Sequence, residues 1–93
     1  MTCKMTFTTE VSFLTYGEDT YMLRPYHREG YDVSYAAYKQ TDNGFEKVCC
    51  FDCNTDDSPE EVYAAMMFCV DLANDFGDDW KWKEAEEAWN KEF

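Results

Sequence analysis

The tetrapeptide Ser58-Pro59-Glu60-Glu61 does more than any other stretch to fix what this 93-residue chain can fold into. Ser58 offers a hydroxyl to the unpaired amide of residue 61, and Glu61 can reach back to the amide of residue 58. Pro59 stands at the first helical position, where an amide would have no partner anyway. The tetrapeptide therefore starts a helix, and the chain on either side of it obeys a different period. Behind it Val62, Met66, Cys69, Ala73 and Phe76 recur at helical spacing, widened by Tyr63, Met67 and Val70 into a largely covered helix. Gly77 is its natural terminator. Asp78 or Asp79 then caps a second helix, where the macrodipole favours negative charge, and Trp82, Ala85, Trp89 and Phe93 form its apolar stripe. The two helices are predicted over 58–76 and 79–92.

Ahead of Ser58 the period is two. Met1, Cys3, Met5, Phe7, Val11 and Phe13 alternate with Thr2, Lys4, Thr6, Thr8, Glu10 and Ser12, which reads as one long half-buried strand with a bend near Thr9. Gly17-Glu18-Asp19 is a turn, Thr20 to Arg24 the returning strand, and Pro25 ends its pairing or marks an edge. After a polar loop over 26–30, Tyr31, Val33, Tyr35 and Ala37 share one face of a third strand. Thr41-Asp42-Asn43-Gly44 is the clearest turn, and a fourth strand runs from Phe45 to about Cys53. A bulge at Gly44 would set Tyr35 against Phe51 and Ala37 against Cys49, at the cost of placing Lys39 beside Lys47. The two-residue alternative opposes Tyr35 to Asp52. The expected architecture is one α+β domain: a four-stranded antiparallel meander over 1–53, one face covered by the first helix. The second helix is expected at an edge or over the end of the sheet.

Composition sets the function classes. Seven Phe, seven Tyr and three Trp supply a core, so the chain is not disordered for want of apolar surface. Twenty acidic against eight basic residues give a net charge of −12. Such a field repels phosphate, which disfavours direct binding to nucleic acid or an anionic membrane and steers the chain toward basic surfaces. Residues 1–51 hold seven acids and five bases, whereas 52–93 hold thirteen acids and three bases. The first half is scaffold and the second an acidic face. The opening residues Met-Thr-Cys-Lys-Met-Thr-Phe lack the pattern of a signal peptide, and the longest apolar run, Tyr63 to Val70, is far short of the ~20 residues a membrane span needs. A cytoplasmic location and reduced thiols are expected.

Five cysteines raise the question of thiol or metal chemistry. Cys50-Phe-Asp-Cys53 has the C-x-x-C form but falls on a strand, where residues three apart point to opposite faces. A zinc site wants a tight knuckle and a second ligand pair, and a redox pair wants a helix start and a positive environment. The neighbouring charges here are negative. Cys49 and Cys53 read as small core hydrophobes and Cys50 as semi-exposed. The lone His27 sits in a polar loop, and no phosphate loop, nucleophile elbow or His-Glu-x-x-His is present. The expectation is no metal, no cofactor and no enzymatic activity.

The carboxylates fall into three groups. Asp52, Asp56, Asp57, Glu60 and Glu61 gather where sheet passes to helix, Asp71, Asp75, Asp78 and Asp79 around the helix–helix turn, and Glu84, Glu86, Glu87 and Glu92 on the last helix. Helical neighbours three or four apart stand about 5–6 Å from one another, so such rows approximate the spacing of phosphates along a strand. Trp80 and Tyr63 offer apolar anchors among them. The candidate binding residues are Asp56, Asp57, Glu60, Glu61, Asp71 and Asp75, continuing through Asp78, Asp79, Trp80, Glu84 and Glu87. Against this, acidity alone keeps small proteins dispersed, and several of these side chains also serve as caps.

The stretch SPEEVYAAMMFCVDLANDFGDDW, with carboxylates at both ends of a helix and then an acidic turn and a tryptophan, resembles small acidic inhibitors encoded by phages and mobile elements. That group includes DNA-mimic anti-CRISPR proteins and the phage inhibitor of uracil-DNA glycosylase. The resemblance lies in size, charge and element content. It implies a protein that occludes the basic groove of a nucleic-acid-binding enzyme, for example a CRISPR nuclease, in the host cytoplasm. The alternative is a regulatory or assembly module, pairing with itself as a homodimer or with a host protein, whose charge only solubilises it.

Overall fold

A computed structural model of the chain describes residues 2–92; Met1 and Phe93, assigned above to the first strand and to the last helical stripe, lie outside the described residues. The elements are β1 (Cys3–Phe7), β2 (Ser12–Tyr16), β3 (Asp19–Tyr26), β4 (Val33–Thr41), β5 (Gly44–Cys53), α1 (Pro59–Phe76) and α2 (Asp79–Glu92). The strands form one antiparallel meander in the order β1-β2-β3-β4-β5. The α+β class and meander order are those expected, but there are five strands rather than four.

The extra strand arises because the first sixteen residues fold back instead of bending. Thr8 closes the reversal: its amide donates to the Val11 carbonyl (2.9 Å), and its hydroxyl oxygen accepts the Val11 amide (3.1 Å). The turn shifts the alternation by one, so Ser12 and Leu14 face inward in β2 and Phe13 does not. Gly17, at φ 61, turns β2 into β3 with the geometry of a two-residue hairpin.

Tyr35 does oppose Phe51, and Ala37 opposes Cys49. The extra residue, however, is Val48: the register changes between Ala37 and Tyr38, so Lys39 faces Glu46 instead of Lys47. Moving the bulge into the strand relieves the like-charge pair. Pro25 lies within β3 opposite Tyr35. Its carbonyl accepts the Trp89 indole N–H (3.1 Å), and a strand residue's N–H and C=O point the same way. The missing amide therefore faces away from β4 and breaks no ladder bond.

The sheet is covered on both faces. Val62 and Met66 of α1 join Leu14, Leu23, Tyr35 and Phe51 on one side. Trp82, Ala85 and Trp89 of α2 join Tyr26, Ala36 and Cys50 on the other. The second helix thus takes the whole opposite face, not an edge or end as expected. Burial of Cys50 to 1% exposure follows, correcting its assignment as semi-exposed. Tyr31, assigned to the third strand, precedes β4 and is exposed. Among the described residues no helix is long and apolar enough to cross a membrane.

Candidate partner-binding surface

α1 begins as its sequence requires. Ser58 Oγ accepts the Glu61 amide and Glu61 Oε1 accepts the Ser58 amide, both at 3.2 Å, and Gly77 closes the far end by donating to the Ala73 carbonyl (2.9 Å). The helix is anchored beneath by Cys3, whose thiol donates to the Pro59 carbonyl (3.2 Å), and by Cys49, which reaches the Met66 carbonyl (3.4 Å). Only Val62 and Met66 are fully buried, so the outer side of the helix is open. Its last turn is open to solvent: Phe76, placed on the core stripe by periodicity, is 83% exposed. Phe68, which falls off that stripe, is 65% exposed, and Trp80 at the start of α2 is 57% exposed.

Between Lys47 and Lys81 the chain holds Asp52, Asp56, Asp57, Glu60, Glu61, Asp71, Asp75, Asp78 and Asp79 and no lysine or arginine. Some of these carboxylates hold the fold. Asp57 Oδ2 accepts the Asn54 amide (2.9 Å), Glu61 closes the capping box, and Asp78 Oδ2 accepts the Trp82 indole N–H (3.1 Å). The Asp78 carbonyl also accepts the amides of Lys81 and Trp82, which makes Asp78 the cap of α2. Asp56, Glu60, Asp71, Asp75 and Asp79 are exposed, and among the described residues none of them has a cation within ion-pair distance.

Because the helices lie on opposite faces, the predicted residues divide. Glu60, Glu61, Asp71 and Asp75 belong to α1, while Glu84 and Glu87 sit across the sheet on α2. Asp78, Asp79 and Trp80 bridge the two at the rim. α2 interleaves Lys81, Lys83 and Lys91 with its acids, so its surface is mixed where that of α1 is uniformly negative. Glu84 is committed to an internal pair: Arg28 Nε lies 2.8 Å from Glu84 Oε1 while its Nη1 lies 2.9 Å from Asp52 Oδ2. Asp52 also accepts the hydroxyl of buried Ser34. Burial works against the Arg28 charge, but Asp52 and Glu84 outweigh it and hold the guanidinium firmly protonated. Tyr31 stacks against the same guanidinium, at 4.4 Å from its ring centre. This clamp ties the loop after β3 to both β5 and α2. Nothing in the local pattern around Arg28 announces it.

The thiols are poorly placed for chemistry. Cys50 and Cys53 point to opposite faces of the sheet and cannot share one ion. Burial, then Asp78, pushes Cys50 up to about 12; burial, then Asp57, pushes Cys53 up to about 11. Cys49 is raised further, by burial above all. At neutral pH all three are neutral thiols.

What the fold and surface define is an acidic helix–sheet–helix domain whose α1 carries unpaired carboxylates and outward aromatic rings. Comparison with family models, with curated proteins and with solved structures gave no match to this chain.

Proposed function

We propose that this protein is a non-enzymatic inhibitor that seats α1 and the α1–α2 turn in the basic groove of a nucleic-acid-binding protein. Its carboxylates stand where phosphates would lie. The observation that supports this reading is the base-free stretch between Lys47 and Lys81, which puts Glu60, Asp71, Asp75 and Asp79 on the surface without partners. Asp71 and Asp75 are one helical turn apart, close enough to meet neighbouring cations of a groove built for a phosphate backbone. Charge of that kind speeds encounter, while Phe68, Phe76 and Trp80 provide the apolar contacts that slow departure. Small acidic inhibitors from phages and mobile elements are the pattern for this reading, and a CRISPR nuclease acting in the host cytoplasm is one groove it fits.

The test is affinity capture from a bacterial lysate at low and high salt, with the bound proteins identified. Basic nucleic-acid-binding proteins should be retained at low salt, released by salt or by competing DNA, and lost with Asp75→Lys plus Asp79→Lys. Capture that ignores salt and the double variant would refute the proposal. It would favour a regulatory or assembly module that binds through apolar contacts.

A further inference from the structure

We propose, building on the reading of carboxylates as phosphates, that the groove this protein occupies is one made for single-stranded nucleic acid. Exposed Phe68 and Phe76 would take the place of unstacked bases. The outward side of α1 is fixed by what its inward side buries. With Val62 and Met66 packed into the core, Glu60, Ala64, Phe68, Asp71 and Asp75 recur three or four residues apart on the opposite side, and all five are exposed. Phe76 follows Asp75 at the margin of that side and is exposed as well.

Neither ring has work inside the fold. Among the described residues Phe68 and Phe76 take part in no aromatic pair and no cation–π contact, and neither packs against the core on either face of the sheet. Trp80 differs, because its ring centre lies 5.8 Å from the guanidinium carbon of Arg28 and 5.6 Å from Lys81 Nζ. The two phenylalanines are therefore the free platforms. They stand about 12 Å apart along the helix axis, at about 1.5 Å per residue, with Asp71 and Asp75 between them.

Alternating rings and carboxylates match a single strand better than a duplex. In a duplex the base faces are closed against one another, and a protein that reads it meets phosphates and the hydrogen-bonding edges of base pairs. A protruding phenyl ring finds no platform there. A groove for single strands instead combines cations that follow the backbone with aromatic side chains on which successive bases stack, whatever their sequence. A phenyl ring has the π-face of a base and none of its hydrogen-bonding edge, so it suits a groove that stacks and does not read. The charges are complementary too. Among the described residues no carboxylate of α1 is engaged in an ion pair, so the lysines and arginines of such a groove would meet them without breaking an internal contact.

The test immobilises the intact chain, loads it at low salt from a bacterial lysate stripped of nucleic acid, and elutes with oligothymidylate, oligouridylate or a duplex of the same length at matched phosphate. A single strand should release the retained proteins at a roughly tenfold lower concentration than the duplex, and the more effective of the two strands tells a DNA groove from an RNA groove. Phe68→Leu with Phe76→Leu keeps the apolar area and the helix propensity but removes both π-faces. That variant should retain the same proteins roughly tenfold less well, with an unchanged circular dichroism spectrum. Release by duplex at an equal or lower concentration, or a leucine variant that retains as the wild type does, would overturn the single-strand proposal. In that case Asp75→Lys plus Asp79→Lys would still abolish capture, and the carboxylate reading would stand. Capture that ignores salt and every oligonucleotide would overturn both.

Discussion

The sharpest division between a binding protein and a thiol enzyme is the rate at which its cysteines react. Cys53 is half-buried, and its pKa rises from the ordinary 9.0 to about 11, first through burial and then through Asp57, Asp52 and Asp32. At pH 8 roughly one thiol in ten is ionised at the ordinary value and about one in a thousand after a shift of that size. Since only the thiolate attacks, Cys53 should react with a disulfide reagent roughly a hundredfold slower than a free thiol. Cys49 and Cys50 lie deeper and are slower still. Burial raises Cys69 too, although Lys81 Nζ stands 4.0 Å from its sulfur and pulls the other way. Stopped-flow modification by a chromogenic disulfide should therefore show slow native phases and five equivalents released rapidly in denaturant. A native thiol reacting at or above the rate of free cysteine would refute this reasoning. It would mean that a thiolate is stabilised against the desolvation and carboxylates that outweigh Lys81 around these sulfurs.

The same groups set an alkaline limit on stability. Thiols and phenols whose pKa values are raised by folding stabilise the protein fully below their unfolded values. That stability is lost as pH climbs from about 9 through the folded values of about 11 for Cys53 and about 12 for Cys50. Urea midpoints should hold flat across neutrality and fall steeply above pH 9; an unchanged midpoint at pH 10.5 would show that these groups already ionise freely in the fold. Ser58→Ala removes the hydroxyl that accepts the Glu61 amide and leaves the Glu61 side chain without its counterpart. It should cost about 1 kcal/mol, seen as a fall in melting temperature of roughly 4–8 °C, while the Asp75 and Asp79 surface is left intact.

Local signals with a physical mechanism survive the comparison of sequence with structure. The capping box, the Gly77 terminator and the Tyr35–Phe51 pairing all follow from residues within reach of one another. The first hairpin is missed because Thr8-Thr9-Glu10-Val11 contains no Gly, Pro or Asn. The Thr8 hydroxyl does the work such residues usually do, accepting from Val11 and donating to its carbonyl at 2.7 Å. The position of α2 has a readable sign in Tyr35-Ala36-Ala37-Tyr38 and Val48-Cys49-Cys50-Phe51. Continuous apolar runs in place of alternation mark strands buried on both faces. The partition of the carboxylates is not readable from spacing, because it depends on which face each helix occupies. The Arg28 clamp is likewise tertiary: it joins residues 28, 52 and 84, which no local pattern connects.

Charge and architecture then bear on one another. A net −12 is a liability for a chain this small, since self-repulsion opposes compaction. The fold pairs bases with acids around α2 and Arg28, while among the described residues no carboxylate of α1 has an ion-pair partner, so the repulsion concentrates on one helix. Salt should therefore act on the chain with opposite signs in its two states: it weakens engagement with a basic groove and, by screening the repulsion along α1, strengthens the fold of the free protein.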